Sequence, residues 1–200
     1  LVIDVQNDFC PGGSLAVKDG DQVVPVINLC SRFFDRVIAT QDWHPQNHVS
    51  FAVNHPGRKI HDVVEVYGVK QVLWPPHCVQ GTRGADFHAA LNTENFSLLF
   101  RKGMDPSIDS YSAFMENDKK TVTGLDGYLR GLHIRDVYIS GLATNYCVLY
   151  SALDAVSMGF RTHLILDACR GIDIPAGSVE QSIIIMKERG VDSMHSSGLS

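Results

Sequence analysis

The amino-acid sequence predicts a three-layer α/β/α fold with a central, mostly parallel six-stranded sheet in a Rossmann-like strand order. Short apolar runs alternate along the chain with helical patterns, as in a parallel sheet covered by helices on both faces. The 200 residues, 44% hydrophobic, are enough to bury one full core and fall within the usual range of one domain. No internal repeat, low-complexity tract or linker divides the chain, so residues 1–200 are expected to form one domain.

Residues 1–5, 36–40, 97–100, 136–140 and 161–166 read as strands, with a weaker sixth over 191–194. The first helix follows Asp21 and places Val23, Ile27, Cys30 and Phe34 at steps of four, three and four residues. Pro25 is tolerated because it falls in the opening turn. A second helix starts after Thr144 and repeats Val148, Ala152 and Val156 on one face, and a third carries Val179, Ile183 and Met186 before the stop signal Gly190. Two long stretches, 41–84 and 101–124, break this rhythm and hold most of the histidines, tryptophans and prolines. Stretches of that length inside a compact domain are usually functional.

Composition excludes several classes. Seventeen basic and 22 acidic residues give a net charge of −5, with no basic stripe to neutralise phosphates, so nucleic acid is not an expected partner. No apolar run reaches the roughly 18 to 20 residues that cross a bilayer, and no signal-like segment precedes the first strand, which predicts a cytoplasmic protein without a membrane partner. The chain opens at Leu1 inside a strand-like run, as expected where an initiator methionine and a few residues are missing. Five cysteines without a C-x-x-C pair argue against a disulfide framework or a zinc finger. Cys30, on an apolar helix face, and Cys169, just beyond a strand, are expected to be inert buried thiols.

In an open α/β sheet, ligands bind outside the carboxyl ends of the strands. Here those ends are polar: Asp4 follows the first strand, Asp42 and His44 the second, Lys102 the third, and Cys147 the fourth. Cys147 falls in the first turn of a helix, where free N–H groups and the helix dipole are expected to lower a thiol pKa. Asp4 can take the thiol proton, and Lys102 can keep the carboxylate ionised and offset developing negative charge. Asp42-x-His44 supplies two metal ligands, with His77 and His48 as candidate thirds. His77 is favoured over His48 because Pro75 and Pro76 make a rigid platform beside it.

The chain resembles the isochorismatase-like cysteine hydrolases, and within them the nicotinamidase (pyrazinamidase) branch. The matching stretches are DVQNDFCPGGSL from Asp4, ATQDWHPQNHVSF from Ala39, WPPHCVQGTRGADF from Trp74, RKGMDPSIDSYSAF from Arg101 and GLATNYCV from Gly141. Together they run over nearly the whole chain. The resemblance implies an amidohydrolase that converts nicotinamide to nicotinic acid and ammonia through a cysteine thioester, in NAD salvage. It makes Asp4, Lys102 and Cys147 the catalytic triad. It gives a divalent metal, zinc first with iron or manganese as alternatives, to Asp42, His44 and His77, with His48 a ligand in some members. Phe9 and Trp74 would sandwich the pyridine ring, with Gln6, Tyr111 and Leu142 lining the pocket. A cis bond between Leu142 and Ala143 would let the N–H groups of Ala143 and Cys147 form an oxyanion hole, and the metal would anchor the ring nitrogen directly or through water.

The rivals are an amidase of the same superfamily acting on a carbamoyl or ureido substrate, and a metal-binding or redox module that turns nothing over. The first would not need Asp42-x-His44, and the second would not need Asp4, Lys102 and the aromatic pair. Dinucleotide binding is set aside because the turn after the first strand lacks G-x-G-x-x-G. The small-molecule substrate is the expected partner, and nothing in the sequence opposes a homo-oligomer.

Overall fold

The structure is a computed structural model that describes residues 1–199. In chain order its elements are β1 (Val2–Ile3), α1 (Val23–Cys30), β2 (Val37–Asp42), β3 (Val63–Val66), β4 (Val69–Val72), β5 (Phe96–Lys102), α2 (Leu125–Gly131), β6 (Asp136–Leu142), α3 (Leu149–Ser157), β7 (Arg161–Arg170), α4 (Ser178–Glu188) and β8 (Asp192–Met194). Six strands form the central sheet in the order β5-β2-β1-β6-β7-β8, and every pairing within it is parallel. The direction of strand succession reverses between β1 and β6, the topological switch point at which open α/β sheets bind ligands. No described helix is long and apolar enough to cross a membrane.

Alternation along β1 shows how the layers form. Val2 joins the core that α1 covers with Val23, Val24 and Ile27, while Ile3 joins the opposite core with Leu125 and Leu129 of α2 and Ala152 of α3. Successive strand residues point to opposite faces, so each strand feeds both cores. Burying side chains of this size contributes roughly 1.5–3 kcal/mol each.

Several boundaries differ from the sequence reading. β1 stops at Ile3 because Asp4 takes a left-handed backbone, φ 48°. Phe34 lies past α1 in an extended conformation, separated from it by a short 3-10 turn over Ser31–Phe33. Cys169 sits inside β7 rather than beyond a strand. The stretch 41–84 contains an antiparallel ribbon, β3 with β4, whose Tyr67-Gly68 turn has φ of 50° and 80°. Positive φ at both central residues suits the twist of a two-residue hairpin. The short helix α2 was likewise not evident from sequence periodicity.

Candidate active site

Four strand ends deliver the chemistry to one edge. Asp4 follows β1, Asp42 ends β2, Lys102 ends β5, and Cys147 lies in a π-helical turn, Thr144–Val148, that links β6 to α3. All four are 6% exposed or less, so their charges and polar atoms depend on one another rather than on water.

Lys102 is the hub. Its ammonium lies 2.9 Å from Asp4 Oδ2 and pairs with Asp42 Oδ1. It also donates to the Ser110 carbonyl at 2.9 Å and stands 3.4 Å from Cys147 Sγ. An ammonium has three hydrogens and here four polar neighbours, so mainly its charge reaches the sulfur. The other oxygen of Asp4 accepts from Thr40 Oγ1 at 2.6 Å. Removing one partner from a buried set of this kind costs roughly 3–5 kcal/mol.

These contacts set the protonation states. Burial pushes the Asp4 carboxyl up to about 6, with Lys102 pulling it back and Asp42 adding to the rise. Against the same burial, Lys102 and then His44 hold Asp42 below the usual carboxylate range. Asp4 and Asp42 outweigh burial at Lys102 and keep it charged. Burial pushes the Cys147 thiol well above its ordinary value, with Lys102 opposing. This corrects the expectation of a lowered thiol pKa: Cys147 is 6% exposed, and desolvation outweighs the favourable charge.

Asp42, His44 and His77 bring one ligand atom each within 4.8 Å of one another. His44 Nδ1 lies 2.8 Å from the Gly103 carbonyl, and His77 Nδ1 lies 2.8 Å from the Pro75 carbonyl. A carbonyl only accepts, so both Nδ1 atoms carry hydrogen and both Nε2 atoms are turned toward the trio, that of His44 standing 3.5 Å from Asp42 Oδ2. That arrangement fits a divalent cation. Charge fits too: two buried carboxylates, Asp4 and Asp42, share one buried ammonium, Lys102. His48 is built differently. Its Nε2 faces the Ile108 carbonyl at 3.3 Å and its Nδ1 faces Ser50 Oγ at 2.7 Å, so neither nitrogen is free. Burial and the neighbouring His44 push both His48 and His77 down to about 4, which keeps them neutral. His44, His48 and Asp109 form a second close trio, which shares His44 with the first.

Beside these groups lies a cavity lined by Phe9, Trp74, Tyr111, Ala143 and Cys147, together with Asp42, His44 and His77. Trp74 Nε1 donates to the Tyr111 hydroxyl at 3.1 Å, which joins the two aromatic walls. The Leu142–Ala143 bond is cis, and the Ala143 N–H donates to no acceptor among the described residues. Two expected lining residues stand elsewhere. Gln6 is fully buried, with its amide spent on the Asp42 and Ala85 carbonyls at 2.8 Å each and its oxygen on the Asp42 N–H at 2.8 Å. It therefore fixes the end of β2 rather than facing the cavity. Leu142 is also fully buried, in the core under β6.

The cavity has four further lining residues, Leu15, Asp109, Tyr146 and Ile172, that the sequence reading did not single out. Tyr146 precedes Cys147 and stands edge-on to Trp74 at 4.9 Å, so its neighbour was a usable signal. Leu15 and Ile172 carry no local signal, because their place depends on how distant loops close.

Comparison with known proteins adds to this geometry. The isochorismatase domain matches residues 1–197. The nicotinamidase of Acinetobacter baylyi is 48% identical over 196 residues, covering 98% of this chain and 91% of that protein. A solved nicotinamidase/pyrazinamidase from Acinetobacter baumanii superposes with a TM-score of 0.97 at 52% identity, over 100% of this chain and 96% of that one. The pyrazinamidase of Pyrococcus horikoshii, solved in complex with zinc, gives a TM-score of 0.79 at 36% identity, over 97% of this chain and 96% of the other.

Proposed function

The chain belongs to the isochorismatase family, and on that premise we propose that it is an amidohydrolase that converts nicotinamide to nicotinic acid and ammonia, as part of NAD salvage. The observation that carries the reading is the Lys102 ammonium held between Asp4 and Cys147, at 2.9 and 3.4 Å, directly beside the trio of Asp42, His44 and His77. Relatives named as nicotinamidases support the substrate.

The geometry supports the following sequence. With the carboxamide carbon over the sulfur, Asp4 accepts the Cys147 thiol proton as the sulfur attacks, so the buried thiol need not ionise at rest. The negative charge that develops on the carboxamide oxygen is met by the N–H groups of Ala143 and Cys147. Collapse of this intermediate breaks the C–N bond, and Asp4 returns its proton to the leaving ammonia. Water then attacks the thioester carbon as Asp4 takes a proton from it, the C–S bond breaks to release nicotinic acid, and Asp4 returns that proton to the sulfur to restore the thiol. Lys102 stays charged throughout and keeps Asp4 in its basic form. Phe9 and Trp74 orient the ring by stacking. Asp42, His44 and His77 would hold a divalent metal, zinc for preference, which supplies a Lewis-acidic anchor for the ring nitrogen. The unit that does this spans residues 1–200.

The test is ammonia release from nicotinamide by the purified chain, with nicotinic acid identified as the second product. Release in equal amounts is expected. A protein that binds metal but releases no ammonia would overturn the reading in favour of a non-catalytic module.

A further inference from the structure

The ribbon of β3 and β4 stands outside the central sheet and is largely exposed, with Val63 57% and Tyr67 87% accessible. Gln71 is the exception. It is 3% exposed, the one buried residue of either strand. A buried amide is costly unless its hydrogens are used. Gln71 Nε2 donates to the Val72 carbonyl at 2.7 Å and to Asp109 Oδ2 at 3.0 Å, and it lies 3.4 Å from the Tyr111 hydroxyl.

Asp109 and Tyr111 belong to the cavity wall, and Tyr111 in turn receives the Trp74 indole N–H. Trp74 follows β4 by two residues, so the ribbon reaches the wall along the chain and through one side chain. Asp109 Oδ1 already accepts the Ser110 N–H at 2.8 Å, which leaves Oδ2 as the atom that Gln71 controls.

The geometry points to Gln71 as a positioning residue for substrate: its amide locks Asp109, Tyr111 and Trp74 into one wall and so sets the width of the slot that receives the ring. This rests on the reading of that cavity as the nicotinamide pocket. Gln71 touches none of Asp4, Lys102 or Cys147 in the hydrogen bonds it makes among the described residues, so its role falls on binding rather than on the acyl-transfer steps.

The test is steady-state kinetics of three variants. Gln71→Glu sets a carboxylate against Asp109 and should raise KM for nicotinamide about tenfold, the scale of a hydrogen bond to a charged group, with kcat within about threefold of wild type on the same scale. Combining it with Asp109→Asn reverses donor and acceptor and should restore KM to within about threefold. Gln71→Met removes the donors without adding charge, should raise KM similarly, and serves where Gln71→Glu does not fold. A general loss of folded enzyme would lower kcat instead and leave KM alone. Unchanged KM in the single variants, or a double variant no better than Gln71→Glu, overturns the inference while leaving the proposed activity standing. A wild type that does not turn over nicotinamide overturns both.

Discussion

Lys102 Nζ stands 3.4 Å from the sulfur of Cys147, both of them buried. The pair places a permanent positive charge beside a thiol that burial keeps protonated. Such an arrangement stabilises the thiolate only as it forms, when Asp4 removes the proton.

Cys147→Ala should therefore abolish ammonia release, because Cys147 is the thiol whose sulfur contacts Lys102 at the cavity. Cys30→Ala, in the core under α1, should leave turnover nearly intact. Alkylation should inactivate the enzyme in proportion to label on Cys147, measured by peptide mass. Loss of activity with the label elsewhere would count against the assignment.

Asp4→Asn keeps shape but removes the proton acceptor, and the single-turnover acylation rate should fall about a hundredfold or more. The wild type carries a related signature. Its Asp4 carboxyl, pushed by burial to about 6, must be ionised to act as base, so kcat/KM should decline as pH falls through that value. A profile flat from pH 7 to pH 5 would remove Asp4 from the mechanism.

Gly103→Ala should weaken metal binding. Gly103 has φ +63°, and an added Cβ would meet the His44 ring at 2.4 Å. The same residue's carbonyl holds His44 Nδ1, so the ring would turn away from Asp42 and His77. Losing a partner that orients a ligand typically costs ten- to a hundredfold in affinity. Competition with a chromophoric chelator measures it, and an unchanged dissociation constant would show that His44 is not a ligand.

Benzamide should be a poor substrate for the metal-loaded enzyme. It matches nicotinamide in shape and stacking but has no ring nitrogen to meet the ion, and losing a specific polar partner costs more than losing a methylene. Chelation or His44→Ala should lower activity and erase the preference together. Equal kcat/KM for the two amides in the loaded enzyme would instead favour a broader amidase.

Much of this protein is legible in its residues alone. Alternating apolar runs and helical steps are local signals, and they locate all six strands of the sheet and the helices α1, α3 and α4. Strand-end chemistry is nearly as local, because a carboxylate, an amine or a thiol just after an apolar run must appear at one edge of a parallel sheet. Asp4, Asp42, Lys102 and Cys147 were visible for that reason. The ribbon hid inside a stretch read as a loop, since its strands are short and its turn is Tyr67-Gly68 rather than a familiar Asn-Gly pair.

What required the tertiary structure is everything set by distance between residues far apart in the chain. Gln6 looked like a pocket residue, yet its amide is consumed by Asp42 and Ala85 across gaps of 36 and 79 residues. Pro75 and Pro76 favour His77 over His48 in the sequence, but that both His48 ring nitrogens already have partners, the Ile108 carbonyl and Ser50 Oγ, appears only in the fold. Cys147 carries every sequence mark of an activated thiol, and burial still pushes its pKa up. Residue types and periodicity specify which groups arrive at the edge, but desolvation and hydrogen-bond partnership act through space, and only the folded chain decides them.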